Sequence, residues 1–359
     1  MMFKQKPQID KDAIMNALKT VNDPELHRSI VDLGMVGQIE EHDGKVKINI
    51  KLTIPGCPLK HKIHADITAA LASIEGITKV DLEFSYMTPE ERMALTGKMT
   101  GQTKSALFDD AKIGNIIAVA SGKGGVGKST VTVNLAYSLK NAGYSVGIVD
   151  ADVYGFSIPR MMGVQTLPTV IDETMIPVIK DGIKVMSMGF FVEEDQAVIW
   201  RGPMLHKAIV QFLTQVFWDK LDYLLIDLPP GTGDVTLSIS QTVREAQLLV
   251  VTTPQAAAAN VAQRVAELAK KANFKLLGIA ENMSYFIAPD GSYQYIFGSG
   301  GGQELADKLG CQLFCQIPLD SAIREGGDSG KPVASLKVSP AVAEFELLAK
   351  GINEKLAKK

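Results

Sequence analysis

An apolar run at residues 116–120 leads straight into SGKGGVGKST at 121–130, and a helical stripe of Val131, Leu135 and Leu139 follows. Strand, glycine-rich loop and helix in that order restrict the fold more than any other feature of the chain. Residues 122–129 satisfy the spacing G-x-x-x-x-G-K-[ST] of a phosphate-binding loop. Gly122 opens the motif; Gly124, Gly125 and Gly127 let backbone N–H groups curl around phosphate oxygens where side chains would collide, with Val126 between them. The N-terminus of the following helix, at Thr130 and its neighbours, adds partial positive charge. Lys128 is placed to neutralise the β- and γ-phosphates of ATP, and Ser129 to ligate Mg²⁺. Lys123 is a second lysine at the start of the loop. It is expected to point away from its own cradle and to reach a nucleotide bound by a neighbouring chain, supplying charge in trans as an arginine finger does.

From residue 114 onward the chain alternates apolar runs with helical patterns. Candidate buried strands lie at 116–120, 146–150, 184–188, 224–228, 249–253, 276–279 and 313–317. They read as continuous apolar runs, as expected for a parallel sheet covered by helices on both faces. With 32 glycines and only 6% aromatic residues, the composition also suits an α/β protein with many tight turns better than a β-sandwich. Two acidic segments fall at strand ends, where ligands bind in open α/β sheets. VGIVDADVYG carries Asp150 and Asp152, and DYLLIDLPPGTGD carries Asp227. Asp227 fits the role of holding the Mg²⁺ shell, and Asp152 that of positioning the attacking water; Asp150 suits either role and is grouped with Ser129 and Asp227 as a candidate Mg²⁺ ligand. Residues 231–234 (GTGD) form a candidate loop for sensing the γ-phosphate.

The first part of the chain reads differently. Ile14, Leu18 and Val21 recur at helical spacing, and residues 35–40 and 45–54 alternate apolar with polar around His42-Asp43-Gly44, a hairpin signal. Ile63, Ile67, Ala70 and Leu71 mark a second amphipathic helix, and KVDLEF at 79–84 a third strand. The expected organisation is a small α+β domain at 8–93, a linker with room for a short helix at 94–113, and an α/β P-loop domain with a mostly parallel sheet at 114–359. The last segment, SPAVAEFELLAKGINEKLAKK, repeats Val342, Phe345, Leu348, Ile352 and Leu356 at helical spacing, interrupted by Gly351; a helix docked on the sheet is expected.

A formal charge of −3 announces neither nucleic acid nor an anionic membrane. No apolar run approaches the ~18–20 residues a membrane span requires, and MMFKQKPQIDKD has no stretch like a signal peptide. Three cysteines, Cys57, Cys311 and Cys315, form no disulfide framework. A cytoplasmic protein is expected. Cys57 lies just before a helix, whose N-terminus favours the thiolate, the metal-binding form. His61 and His64 follow on the same helical side, so iron or a cluster bound there is one reading and a solvated helix face the other. Cys311 and Cys315, if both on a strand, lie roughly 13 Å apart at ~3.3 Å per residue and cannot chelate one metal, so they are read as buried core thiols.

KGGVGKST with its extra Lys123, DADVYG, WRGPM at 200–204, LPPGTGD and ENMSYF at 281–286 together resemble the Mrp/ApbC family of iron–sulfur cluster carrier ATPases, relatives of MinD and ParA. DPEL at 23–26, DLGMV at 32–36 and PGCPL at 55–59 resemble the PaaD-like (MIP18-type) domain that often precedes that ATPase. The resemblance implies slow, Mg²⁺-dependent ATP hydrolysis coupled to delivery of an iron–sulfur cluster to apoproteins, with cluster scaffold proteins as further partners. It implies a homodimer with Lys123 reaching across, Lys128 and Asp152 required for hydrolysis, and adenine contacts from Asn282 and the Pro318-Leu319 turn. It also makes Cys57 the candidate cluster ligand. GFSIPRMMG and VMSMGFFVEE resemble the SalA-type branch, which implies the alternative of an ATP-dependent DNA-binding regulator; a MinD-like positioning role at the membrane is disfavoured by the fused first domain and by the tail. Many relatives carry C-x-x-C after ENMSYF, whereas Ala288 and Gly291 stand there in this chain.

Overall fold

The computed structural model describes residues 10–24, 26, 28–53, 60–100, 113–152, 155–191, 202–229, 236, 239, 243, 246–255 and 258–357, with 96–100, 202–206 and 258–263 described by their backbone alone. Cys57, residues 231–234 and the Trp200-Arg201 pair of the sequence reading lie outside these residues. The chain divides into two compact units, Met1–Lys104 with Thr169–Ile176, and Ser105–Pro168 with Pro177–Lys359.

In the first unit, α1 (Lys11–Lys19) is capped by Asp10, whose carboxylate accepts from the Asp12 N–H, and it buries Ile14 and Leu18. Strands β1 (Val36–His42) and β2 (Lys45–Leu52) form the expected antiparallel hairpin. Its two-residue turn places Asp43 at φ 51° and Gly44 at φ 83°, the backbone that matches the twist of the flanking strands. Helix α2 (Lys60–Leu71) buries Ile63, Ile67 and Leu71, and returns the chain so that β3 (Lys79–Tyr86) lies parallel to β2. Helix α3 (Pro89–Thr100) then runs into the span read as a linker. A short hairpin, which the sequence reading did not anticipate, completes the unit: β6 (Thr169–Ile171) and β7 (Thr174–Ile176), whose Asp172 accepts from Arg92 at 3.4 Å.

The second unit is built on an eight-stranded sheet ordered β15-β12-β11-β4-β10-β5-β9-β8. Its strands are β4 (Ile113–Ser121), β5 (Val146–Asp150), β8 (Val178–Lys180), β9 (Ile183–Ser187), β10 (Leu221–Asp227), β11 (Gln247–Thr252), β12 (Lys275–Glu281) and β15 (Leu313–Gln316). All seven expected strands are in it and run parallel; the unexpected β8 is an antiparallel edge, paired to β9 through an Asp181-Gly182 turn. Around the sheet lie α4 (Lys128–Asn141), α5 (Ile158–Met161), α6 (Gly202–Thr214), α7 (Ala258–Lys271), α8 (Gly301–Leu309), α9 (Ser321–Asp328), α10 (Val333–Leu336) and α11 (Ala341–Ala357). A small hairpin of β13 (Phe286–Ile287) and β14 (Tyr293–Gln294) stands apart from the sheet. The expected stripe Val131, Leu135 and Leu139 is buried on α4, but so are the residues between them, because α10 and α11 pack against α4 in addition to the sheet. Polar ties span that layer: Asn134 Oδ1 accepts from the Ala334 N–H at 3.0 Å, and Asn141 Nδ2 donates to the Ala334 carbonyl at 2.9 Å.

The C-terminal segment docks on the sheet as expected, with Val342, Phe345, Leu348 and Ile352 buried. Gly351 does not interrupt it; α11 is continuous from Ala341 to Ala357. The glycine answers a packing demand. A Cβ at Gly351 would lie 2.8 Å from Phe314 Cδ1, and one at Gly278 would lie 2.3 Å from Phe314 Cε2. The Phe314 ring on β15 therefore fills a slot between two glycines. Gly351→Ala gains up to ~1 kcal/mol of helix propensity, but forcing a methyl against a buried ring costs ~1–3 kcal/mol. The expected outcome is a melting temperature lowered by a few degrees with ATP binding intact; a rise in melting temperature would refute the slot.

Among the described residues, no helix is long and apolar enough to cross a membrane.

Candidate nucleotide site

The phosphate loop joins the C-terminal end of β4 to the first residue of α4, at the middle of the sheet. Gly125 and Gly127 take φ 77° and 80°, the left-handed region that glycine enters without penalty. Gly127 also has no room for a side chain: a Cβ there would lie 2.2 Å from Asn282 Nδ2. Around Gly124 and Gly125 the space a Cβ would occupy is open, as a cradle for oxygen atoms requires. Asn282, buried just after β12, donates from Nδ2 to the Val126 carbonyl at 2.9 Å and so clamps the loop from the side.

Behind the loop three groups of α4 converge on Asp227. Its carboxylate is fully buried at the end of β10. Ser129 Oγ donates to Oδ2 at 2.5 Å and Thr132 Oγ1 to Oδ1 at 2.9 Å. The Lys128 ammonium stands 2.8 Å from Oδ2 with only 7% of its side chain exposed. That contact is an ion pair; among the described residues no further acceptor meets this buried ammonium, so N–H donors remain for a ligand. A buried donor without an acceptor is costly unless a ligand supplies one, and a phosphate oxygen is the acceptor that the loop geometry invites. The residues present thus fit a nucleoside phosphate.

Strand register sets Asp150 level with Asp227 on adjacent strands. Asp150 is fully buried as well; Oδ2 accepts from Ser187 Oγ at 2.9 Å and the Ile158 N–H at 3.3 Å, and Oδ1 from the Asp152 N–H at 3.3 Å. Burial, and then the neighbouring Asp227 charge, push its carboxyl well above the usual carboxylate range, against the pull of Ser187 and Lys128. Asp152 sits two residues on, half-buried, and lines a cavity of about 190 Å³ with residues 124–130, Ser157 and Met161. A second cavity of about 330 Å³ shares Gly127, Thr130, Ser157 and Met161 with it. Its further walls are Asn282, Met283, Pro318, Leu319 and Ile323, with Arg160, Arg324, Asp320 and Asp328 at its polar edge. A phosphate-sized space and a mostly apolar slot large enough for a purine therefore adjoin across the same four residues. Asn282 and Pro318 both line the slot, though Asn282 spends its amide N–H on the loop.

Lys123 is half-buried, and its ammonium donates to Gln255 Oε1 of the same chain at 2.5 Å. Arg264 donates to the Gly122 carbonyl at 3.3 Å. Thr132, Ser187 and Gln255 were not singled out in the sequence. Thr132 carried a signal, standing one helical turn after Lys128 and so on the same side of α4; Ser187 ends β9 inside the quoted VMSMGFFVEE segment, and Gln255 lies three residues beyond β11 with no motif around it.

The remaining candidates are not brought together. Cys315 is buried on β15, where burial and then Glu344 and Glu281 drive its thiol far above the ordinary value. Cys311 precedes that strand and is half-buried, so it is not the core thiol expected, although burial raises its pKa too. His61 and His64 are exposed on α2, and the His64 ring stacks on Phe84 at 6.3 Å. Ala288 and Gly291 form the turn of the β13–β14 hairpin, with the Gly291 N–H donating to the Ala288 carbonyl at 2.8 Å. Among the described residues, no group of three or more His, Cys, Asp or Glu is arranged to hold a metal ion.

Both units of the chain have counterparts among known proteins. Residues 112–353 match the family model described as NUBPL iron-transfer P-loop NTPase, and residues 11–82 that described as iron–sulfur cluster assembly protein. The chain is similar to the iron–sulfur cluster carrier protein of Mycobacterium leprae, 44% identical with 96% of this chain and 93% of that protein covered. It is 42% identical to the iron–sulfur cluster carrier protein of Synechocystis, with 96% and 98% covered. Among solved structures, a nucleotide-binding protein in complex with ADP from Archaeoglobus fulgidus is 40% identical, with a TM-score of 0.59 over 68% of this chain and 96% of that one. The septum site-determining protein MinD with Mg-ADP from Pyrococcus horikoshii is 25% identical, with a TM-score of 0.50 over 67% of this chain and 96% of that one. With a family model matched across the whole P-loop unit, and relatives matched along nearly the full chain, this protein belongs to the family of NUBPL-type iron-transfer P-loop NTPases.

Proposed function

We propose that this chain is an ATP-hydrolysing iron–sulfur cluster carrier, acting as a homodimer that delivers clusters to apoproteins. The observation that supports the ATP part most directly is the buried Lys128 ammonium, paired with Asp227 and with no further acceptor among the described residues, at the mouth of an open glycine cradle. Lys128 holds the β- and γ-phosphates; the loop N–H groups hold the remaining oxygens. Mg²⁺, when bound, neutralises charge on the phosphates, and Ser129 is the residue that would hold it directly. Asp227 acts through Ser129, since both of its oxygens already accept from α4, and Asp150 acts from the same buried layer. Asp152, half-buried on the phosphate cavity with its own N–H tied to Asp150, orients the attacking water. Asn282 and the Pro318-Leu319 turn hold the base.

The carrier part rests on the family and on the names of the relatives. With Ala288 and Gly291 where many relatives have thiols, and with the thiols of Cys311 and Cys315 discouraged from ionising by burial, Cys57 is the cysteine left to serve as cluster ligand. One cysteine cannot hold a cluster alone, because four ligands are usual, so the other ligands come from a second chain, from His61 or His64, or from a small thiol. Anaerobic reconstitution tests this, with iron and sulfide counted per chain and transfer to an apo-ferredoxin followed by its visible spectrum. Cys57→Ser is expected to lose most of the bound iron and of the transfer while retaining ATP turnover. A double Cys311→Ser, Cys315→Ser chain is expected to retain the cluster. The reverse pattern would remove Cys57 from the site.

A further inference from the structure

Lys123 is the one cation of the phosphate loop that is not turned toward its own cradle, and it is not left in solvent either. Its ammonium donates to Gln255 Oε1 at 2.5 Å. Gln255 follows β11, the strand beside the one that carries the loop, three residues beyond the strand's last residue, Thr252. The segment holding it is fixed from its other side. The Pro254 carbonyl packs against Gly301 at the start of α8, where a Cβ would lie 2.4 Å from that oxygen. The next residue, Gly302, gives its N–H to the fully buried Glu281 at 2.5 Å. Glu281 is followed directly by Asn282, whose amide returns to the loop at the Val126 carbonyl. Gln255 thus follows a segment packed against α8 and presents an uncharged acceptor to the lysine.

We infer that Gln255 is a positioning residue for Lys123, a latch that holds the lysine on its own chain until a partner's nucleotide takes it. The inference rests on the proposal that Lys123 acts in trans on bound ATP. An ammonium carries three N–H donors, so the latch requires that the partner's phosphate lie beyond the reach of a lysine still seated on Gln255, and the inference places it there. Formation of the hydrolytic dimer therefore exchanges a neutral amide acceptor for a phosphate anion. Hydrogen bonds to charged acceptors are the stronger ones, so the exchange runs toward the dimer only when a nucleotide phosphate is there to receive the lysine. An amide suits this purpose. A carboxylate at the same place would hold the ammonium by charge, and an aliphatic residue would not hold it at all.

The test is the dependence of ATP turnover per chain on protein concentration, read for wild type, Gln255→Ala and Gln255→Glu. Gln255 is exposed, so neither substitution disturbs the core. Loss of one hydrogen bond changes an equilibrium by roughly 2- to 10-fold. Gln255→Ala is expected to lower the half-maximal protein concentration by about that factor and to leave the plateau turnover unchanged. Gln255→Glu is expected to raise the half-maximal concentration, with an effect that shrinks as salt increases, because an exposed ion pair is screened. Titration of the nucleotide at low protein concentration is expected to give the same affinity for all three chains. A lowered plateau in Gln255→Ala would make the residue part of the reacting site and overturn the latch; unchanged half-maximal concentrations in both variants would overturn it equally. Lys123→Ala separates this failure from that of the reading beneath it. If Lys123→Ala is inactive and the Gln255 variants are silent, only the latch is lost; if Lys123→Ala turns over like wild type, the trans role itself is lost.

Discussion

Lys128→Ala is expected to reduce ATP turnover by at least about 10²-fold, the usual cost of deleting one preorganised donor to charge that builds up in a transition state. The expected loss of binding is smaller, since the backbone N–H groups around Gly124, Gly125 and Gly127 remain. The substitution has a second consequence that the geometry makes calculable in sign. It leaves Asp227 fully buried without its cation, and removing one member of a buried ion pair costs ~3–5 kcal/mol when the other stays charged. Two hydroxyls still donate to Asp227, from Ser129 and Thr132, so the loss of stability is expected near the low end of that range. Turnover must therefore be measured on protein shown by its melting curve to be folded. Lys128→Met, which preserves the aliphatic stem without the charge, serves as the second variant. Full turnover in a folded Lys128 variant would refute the nucleotide site.

Much of this architecture could be read because its determinants are local. The seven parallel strands announce themselves as continuous apolar runs, and the phosphate loop needs only its spacing and the strand and helix on either side. The hairpin of the first unit was legible from His42-Asp43-Gly44. The same signal stands at Asp181-Gly182, between Val178–Lys180 and Ile183–Ser187, and reading it would have found the edge strand β8. Gly351 shows the opposite case. Local rules make a glycine in a helical pattern a break, and the reason it is not one lies in Phe314, a residue 37 positions away whose ring occupies the missing side chain's place. Burial of α4 on every side was hidden for a related cause: a stripe in the sequence records the face against the sheet, whereas the cover by α10 and α11 is decided by segments two hundred residues later. At the site itself, Asp150 and Asp227 were found as strand-end carboxylates, but their hydrogen-bond donors, Ser187 and Thr132, are brought in by register and helix phase. Lys123 was singled out for its place in the motif. That its ammonium rests on Gln255, across 132 positions of sequence, is a fact of strand order.

Mixing two inactive chains is expected to restore hydrolysis, and this experiment reaches the question that a single variant leaves open. Lys123→Ala retains its own Asp152, and Asp152→Ala retains its own Lys123. In a two-fold dimer each chain presents the same surface to the other, so a mixed pair contains one nucleotide site with Asp152 in place and an intact lysine arriving from the partner. Random pairing of equal amounts makes about half of the dimers mixed, with one working site of two, and turnover is expected to return to about a quarter of the wild-type value. If Lys123 served its own site instead, every site in the mixture would lack one of the two groups and no activity would return. Lys123 lies at the start of the loop, half-buried and held on Gln255, while Lys128 is buried beside Asp227. In the proposed mechanism the two lysines, five residues apart, have different jobs: the first must leave its neighbour to act, and the second is already in place. The recovered activity should accordingly fall away on dilution, as the mixed pairs separate and each Lys123 returns to its own chain. Recovered activity that is strictly proportional to protein concentration at every dilution would contradict a lysine supplied in trans.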